Sequence, residues 1–249
     1  MSRETKRLVV YGDVHGCLDE WKTLRGKVSP LEDDLEITVG DLIDRGPDSP
    51  GCLRFARENR ISSVLGNHEF KYLRYSRHYK KFQETGKTIP MKFPDDKMAV
   101  FRSLAPADLE FIAELPFFLR KNNLLIVHAG VSPSLEVGEI TPKDKLERLT
   151  WIRELNAELN PVSLKSKDGV FFWAEKYDGG QGFIVCGHNP FPEVRRDAHS
   201  LAIDTGCAFG GKLTAAIFEQ APAGGWNTDN VEFMQVPALQ KYSELMIED

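Results

Sequence analysis

The chain has 249 residues, of which 41% are hydrophobic and 28% charged, with a formal net charge of −5. That length accommodates one large α/β domain or two small ones, and the composition is that of an ordinary globular protein. The acidic balance argues against general affinity for nucleic-acid polymers or anionic membranes, and no apolar run approaches membrane-spanning length. Met1–Arg7 is polar with no apolar segment behind it, so no signal peptide is expected and the expected localisation is cytoplasmic. Cys17, Cys52, Cys186 and Cys207 form no CxxC pair, which favours buried thiols over disulfides or zinc ligands.

In chain order, Leu8–Tyr11 reads as a short strand, followed by Gly12-Asp13-Val14-His15-Gly16. Leu18, Trp21, Leu24 and Arg25 recur at helical spacing up to Pro30. Strand Leu35–Val39 leads into Gly40-Asp41-Leu42-Ile43-Asp44-Arg45-Gly46, and Pro47 suits the start of the next helix, which carries Leu53, Phe55 and Ala56. Ser62–Leu65 is a third strand, ending in Gly66-Asn67-His68-Glu69, and Phe70–Phe82 returns to helical spacing. Strand, helix, strand, helix, strand at these intervals predicts a right-handed parallel α/β unit. Thr85–Asp96 reads as a loop, before helices around Met98–Leu104 and Pro106–Leu115. Leu124–Val127 is a buried strand running into His128-Ala129-Gly130, and 131–181 is irregular apart from a helix expected over Pro142–Leu159. Phe183–Cys186 is a strand before Gly187-His188-Asn189-Pro190, and Leu201–Ile203, Leu213–Phe218 and Val231–Val236 complete the strands.

Four apolar runs thus end in glycine followed by a residue able to bind metal: Asp13, Asp41, Asn67 and His188. A fifth ends directly in His128, and His15 stands two positions after Asp13. Ligands of open α/β sheets gather outside the carboxyl ends of the strands, so these side chains are expected to converge. Six oxygen and nitrogen donors exceed what one zinc takes and suit two cations sharing Asp41. Such a pair stands roughly 3.5–4 Å apart and acidifies a bridging water for attack. For a lone Gly-Asp a solvated turn is the better reading; five strand ends with suitable donors favour metal.

The blocks at 12–16, 40–46 and 66–69 resemble the GDxHG, GDxxDRG and GNHE motifs of the phosphoprotein phosphatase branch of the calcineurin-like metallophosphoesterases, in particular the bacteriophage lambda type of bacterial enzyme. The likeness is concentrated in 8–75, 123–130, 149–154 and 183–218. It implies an α/β sandwich, with mixed sheets flanked by helices and a dinuclear metal site at the strand C-termini. It implies Asp13, His15 and Asp41 on one ion, and Asp41, Asn67, His128 and His188 on the other. His68 would be the general acid, oriented by Asp44, with Arg45 and Arg153 (in Trp151-Ile152-Arg153-Glu154) gripping phosphate beside Asn67 and His68. An imidazole paired with a carboxylate can protonate a leaving oxygen near neutral pH, and each guanidinium can hold two phosphoryl oxygens. Manganese is the first expectation for the ions, with iron or zinc as alternatives, and none of the four cysteines has an arginine six positions on, as cysteine-nucleophile phosphatases require.

The expected organisation is a single domain over 1–249, with a specificity insertion at about 83–122 and a loop-rich cap at about 131–181. The leading expectation is a phosphatase acting on phosphoserine and phosphothreonine in proteins, by in-line attack without a phosphoenzyme. The alternative is a hydrolase of dinucleoside tetraphosphates, because Ile203-Asp204-Thr205-Gly206-Cys207 and Gly210-Gly211-Lys212-Leu213-Thr214 are similar to a block of that group. One branch of that group departs from the acidic second motif where Asp44 stands, which favours the protein phosphatase. A silent binding module of the same fold should have lost a ligand or the acid, and none is missing. Partners are therefore a phosphorylated protein or a small phosphoester or nucleotide, with no nucleic-acid polymer and no membrane. Gly206–Lys212 nearly spells a P-loop but continues into a β-like run with Leu213 where serine or threonine is required, so Asp204-Thr205-Gly206 reads as a turn beside the metals. Lys71, Arg74, His78 and Lys81 share one helical face, read as solvated and opposite Tyr72, Tyr75, Tyr79 and Phe82; His78 and His199 are read as structural.

Overall fold

A computed structural model describes residues 6–91, 93–162 and 170–245. Residues 1–5, position 92 of the expected insertion, 163–169 of the expected cap and 246–249 lie outside the described residues. The first unit runs β1 (Arg7–Tyr11), α1 (Leu18–Val28), β2 (Leu35–Thr38), α2 (Ser49–Glu58), β3 (Ser62–Ser63) and α3 (Asn67–Thr85). Pro47 lies ahead of α2 and Pro50 takes the first turn, because the Asp48 side chain accepts from the Gly51 N–H at 2.8 Å and so caps the helix one residue later. α3 starts at Asn67, three residues before the expected Phe70, because the Glu69 carboxylate accepts the Gly66 N–H at 3.2 Å and draws the motif into the first turn.

Beyond it come α4 (Asp95–Ser103), α5 (Pro106–Glu114), β4 (Phe118–Lys121) and β5 (Leu124–Val127). Next are α6 (Lys143–Leu146), β6 (Glu154–Leu155), β7 (Pro161–Val162) and β8 (Phe171–Phe172), and then β9 (Phe183–Cys186), β10 (Arg195–Asp197), β11 (Ser200–Ala202), β12 (Lys212–Glu219) and β13 (Glu232–Pro237). The long helix expected over Pro142–Leu159 does not form. Only α6 and a 3-10 turn at Glu147–Thr150 are helical. The Leu149 carbonyl is taken by Ala129 N–H at 2.8 Å, and the chain turns there into β6. Ile152 and Leu155 are buried, Leu155 in a strand paired with β7 and β8.

Period-two alternation sets the layers. In β1, Leu8 and Val10 face one cluster while Val9 and Tyr11 face another, and all four are fully buried. The first sheet has order β13-β12-β1-β2-β3, with β1, β2 and β3 parallel and β12 antiparallel to β1. The second has order β10-β11-β9-β5-β4, with β5, β9 and β11 parallel. Leu8, Val10, Ile37 and Val39 from one sheet pack with Leu124, Ile126, Val185 and Leu201 from the other, so the sheets lie face to face. The outer face of the first sheet is covered by α1 and α2, through Trp21, Leu24, Leu53 and Ala56. The outer face of the second is covered by segments of 131–155 and 172–177, through Leu149, Ile152 and Trp173. Phe93 just ahead of α4 and Phe101 on α4 pack against Tyr72 and Tyr75 of α3, which buries those two rings, while Tyr79 and Phe82 stay exposed. The carboxyl ends of the parallel strands of both sheets open at one end of the sandwich. Among the described residues no helix is long and apolar enough to cross a membrane, and the four cysteines are buried thiols.

Candidate metal centre

The loops after β1 and β2 are knitted together before any side chain is considered. His15 N–H and Val14 N–H both reach the Asp41 carbonyl, at 2.7 and 3.1 Å, and Gly46 N–H reaches the His15 carbonyl at 2.8 Å. His15, Asp41, Asp44 and Arg45 all have left-handed backbone, with φ of 47, 50, 69 and 71°. Non-glycine residues hold that conformation only where the surroundings over-determine it, and such sites cluster where chemistry is done. The main determinant here is Glu69, fully buried, whose carboxylate accepts from the N–H groups of Asp41, Leu42 and Ile43 at 2.9, 2.7 and 3.1 Å besides Gly66.

On this frame Asp41 faces both sheets. Its Oδ2 lies 3.5 Å from His15 Nε2 and 3.3 Å from His128 Nε2, while Oδ1 accepts the His68 N–H at 3.1 Å. Asn67 Oδ1 stands 2.8 Å from His128 Nε2 and 3.0 Å from His188 Nδ1, and those two ring nitrogens are 3.1 Å apart. Donors about 2.1 Å from an octahedral ion stand roughly 3 Å from each other, so these separations fit a shared cation. Two groups close enough to hold an ion, His15–Asp41–His68 and Asp41–His128–His188, have Asp41 in common. His15 Nδ1–H faces the Ile43 carbonyl at 3.0 Å and His128 Nδ1–H the Val39 carbonyl at 2.8 Å, which leaves both Nε2 lone pairs turned inward. Burial holds His15 neutral, its pKa down to about 3, and keeps His188 well below the usual imidazole value.

Asp13 reaches the centre from the β1 loop, with both its oxygens accepting from the His188 N–H, at 3.0 and 3.2 Å, while the His68 ring lies in the close group with His15 and Asp41. A Cβ on Gly187 would run into that carboxylate, which is why the turn before His188 needs glycine. Burial raises the Asp13 pKa, and Asp204 and Asp41 raise it further. Asp204 itself is pushed up to about 6, chiefly by burial. Three buried carboxylates pressing on one another are a site that cations relieve. The donors therefore fit divalent ions.

The expected acid pair is present as a contact. His68 Nδ1 is 2.6 Å from Asp44 Oδ2, and the Tyr72 hydroxyl donates to Asp44 Oδ1. Lys97 Nζ from α4 lies 3.3 Å from Asp44 Oδ2. Burial alone would raise the Asp44 pKa, but His68, Lys97 and Tyr72 together bring it down to about 2, so it is an anion that fixes the imidazole. Arg153 Nε donates to His188 Nε2 at 2.6 Å, and the Arg45 guanidinium lies 5.0 Å over the Phe209 ring. Both arginines, His15, Asp41, Asn67, His68 and His188 line one cavity of about 310 Å³. Asp204 also lines it, as the turn beside the centre, and His78 and His199 do not. Sequence reasoning passed over Glu69, Tyr72, Lys97 and Arg195, the last of which lines the same cavity. Glu69 closes the third motif and could have been found there; Lys97 comes from a distant helix with no local signal.

A sequence profile of the calcineurin-like phosphoesterases matches residues 6–222. The bis(5'-nucleosyl)-tetraphosphatase PrpE of Oceanobacillus iheyensis is 29% identical over 86% of this chain and 89% of its own length. Serine/threonine-protein phosphatase 1 of Salmonella typhimurium is 31% identical over 86% of this chain and 93% of its own. Among solved structures, one assigned provisionally as a diadenosine tetraphosphatase superposes with a TM-score of 0.73 at 26% identity, covering 96% of both chains.

Proposed function

We infer that this chain, which belongs to the calcineurin-like phosphoesterase family and is a metal-dependent hydrolase of phosphoric esters, cleaves the polyphosphate bridge of dinucleoside tetraphosphates. This reverses the order of the two activities drawn from the motifs. The observation that carries it is the shape of the site. The cavity of about 310 Å³ shares Asn67, His68, Arg153 and His188 with a second of about 540 Å³, so two lobes of small-ligand size meet at the candidate centre. A substrate with a nucleoside at each end of a phosphate chain needs that arrangement; a single phosphorylated side chain does not. The likeness to the Oceanobacillus tetraphosphatase along most of both chains supports the same reading.

Asp13, His15, Asp41, Asn67, His128 and His188 would hold two divalent ions, manganese being the first candidate. When bound, the ions supply Lewis acidity to the phosphoryl oxygens and acidify water. Arg45 and Arg153 grip the phosphoryl group from opposite loops and stabilise the charge that grows on it. Asn67 and His68 line the same cavity. Water supplies the oxygen that joins the attacked phosphorus and gives up a proton to solvent, the bond to the bridging oxygen breaks, and the departing nucleotide takes its proton from His68, which is reprotonated from solvent for the next turnover. Asp44 keeps that proton on the ring nitrogen facing the cavity by accepting from Nδ1.

Hydrolysis of phosphoproteins is the second reading, supported by the intact Asp44–His68 pair and the likeness to the Salmonella phosphatase. Turnover of diadenosine tetraphosphate and of a phosphoserine peptide, with the same metal, separates them. A higher kcat/KM for the dinucleotide is expected; a higher value for the phosphopeptide overturns the assignment.

A further inference from the structure

The larger lobe has two unlike walls. One is the exposed side of α3, where Lys71 and Arg74 sit three residues apart and both line the cavity. The facing wall is the turn where the long helix failed to form, carrying Glu147, Thr150 and Trp151. Trp21, Trp173 and Trp226 are buried, whereas Trp151 is 44% exposed at the rim of this cavity. Its exposure is built in. Leu149 and Ile152 on either side are fully buried, Trp151 N–H is bonded to the Arg148 carbonyl at 3.1 Å, and Ile152 N–H to the same carbonyl at 3.0 Å. The Leu149 carbonyl ties the turn to Ala129, next to His128. The indole is thus presented outward from a turn fixed to the metal loops, and Arg153, two residues on, enters the centre itself.

We propose that Trp151, Lys71 and Arg74 form a nucleoside triphosphate subsite, in which the indole stacks on the base and the two cations hold the phosphates beyond the one attacked. This rests on the dinucleoside tetraphosphatase reading and assigns the departing half of the substrate to the larger lobe. The polarity follows from the walls. Glu147 repels phosphate and, with Thr150, offers acceptors to an exocyclic amino group, so the base belongs beside Trp151. The phosphates belong along α3, where His68 to Arg74 spans roughly 9 Å of helix axis at 1.5 Å per residue. Aromatic stacking is tolerant of base identity because every base has a π-face, while the phosphate contacts are Coulombic and salt-sensitive. The Lys71 and Arg74 side of the face first read as solvated is therefore assigned to substrate, and its Lys81 end stays solvent-exposed.

The test compares ATP with inorganic triphosphate as inhibitors of p-nitrophenyl phosphate hydrolysis, with divalent metal in excess over both. In the unaltered protein ATP should inhibit about ten-fold more tightly than triphosphate, the increment expected of one stacked base. Trp151→Ala should abolish that ratio and Trp151→Phe should keep most of it, while Lys71→Ala with Arg74→Ala should weaken both inhibitors together. Equal inhibition by ATP and triphosphate in the unaltered protein, or an unchanged ratio in Trp151→Ala, overturns the subsite. If diadenosine tetraphosphate is cleaved but the ratio ignores Trp151, the subsite falls and the activity stands. If the dinucleotide is not cleaved but the ratio collapses in Trp151→Ala, the activity falls and the nucleotide subsite stands.

Discussion

The two sheets build their halves of the site by different means. Loops of the first sheet each carry several groups on a constrained backbone: Asp13 with His15, Asp41 with Asp44 and Arg45, Asn67 with His68. Their shape is held by hydrogen bonds from Val14 and His15 to Asp41, from Gly16 to Leu42 and from Gly46 to His15, and by the four N–H groups that converge on Glu69. The second sheet offers isolated donors, His128, His188 and Asp204, one per strand end. Each is aimed by a bond to another loop or its own turn: His128 to Val39, His188 to Asp13, Asp204 to the Gly206 N–H at 2.9 Å. A change in the first half should therefore disturb several functions at once, and a change in the second should disturb one.

Asp41 is where the halves meet, and the largest effect is expected there. Asp41→Asn should lower kcat/KM for an aryl phosphate by about 10³-fold or more, since several kcal/mol of charge stabilisation depend on the ions it would share. Metal content measured on the same sample should fall with it. His68→Ala should cost about 10²–10³-fold at neutral pH while leaving metal content intact. The penalty should shrink for a leaving group as acidic as p-nitrophenol, which a series of esters of rising leaving-group pKa would reveal.

Glu69→Ala separates frame from chemistry. Leaving four buried N–H groups without their acceptor should cost about 3 kcal/mol, or roughly 6–12 °C in Tm for a chain of this size. His128→Ala should fall well short of that in stability while losing activity, if the second sheet supplies donors and not frame; calorimetry on both variants makes the comparison.

The smallest effect is the pH dependence of the Asp44 contact. Its pKa is depressed in the folded chain, so the stabilisation is present above the ordinary carboxylate range and lost as pH falls from about 4 towards about 2. In metal-free protein this should amount to about 2 kcal/mol by urea unfolding at stepped pH, and Asp44→Asn should lack that portion of the acid sensitivity.

The same contrast explains what could be read from sequence. The first-sheet motifs are local: spacing alone placed Asp13, Asp41 and Asn67 at strand ends, and apolar runs placed His128 and His188 at two more. The α/β layering followed from strands apolar on both faces, as in Leu8–Tyr11. Lys97 and Tyr72 were hidden because they reach Asp44 from α4 and from the second turn of α3, through tertiary packing that carries no periodic signal. Asp204 had the same signal as His128, an apolar run ending directly in a donor, but was read only as part of a turn beside the metals. The helix expected over Pro142–Leu159 failed because helical spacing of Leu149, Ile152 and Leu155 is equally met by a turn followed by an edge strand. That turn is also where Trp151 becomes exposed.

The central claim is that donors from both sheets hold two ions joined through Asp41. Anomalous diffraction at the manganese edge from crystals grown with Mn²⁺ tests it directly. Two peaks are expected, one near His15 and one between Asn67, His128 and His188, with Asp41 touching both. A single peak, or none within reach of Asp41, would contradict it.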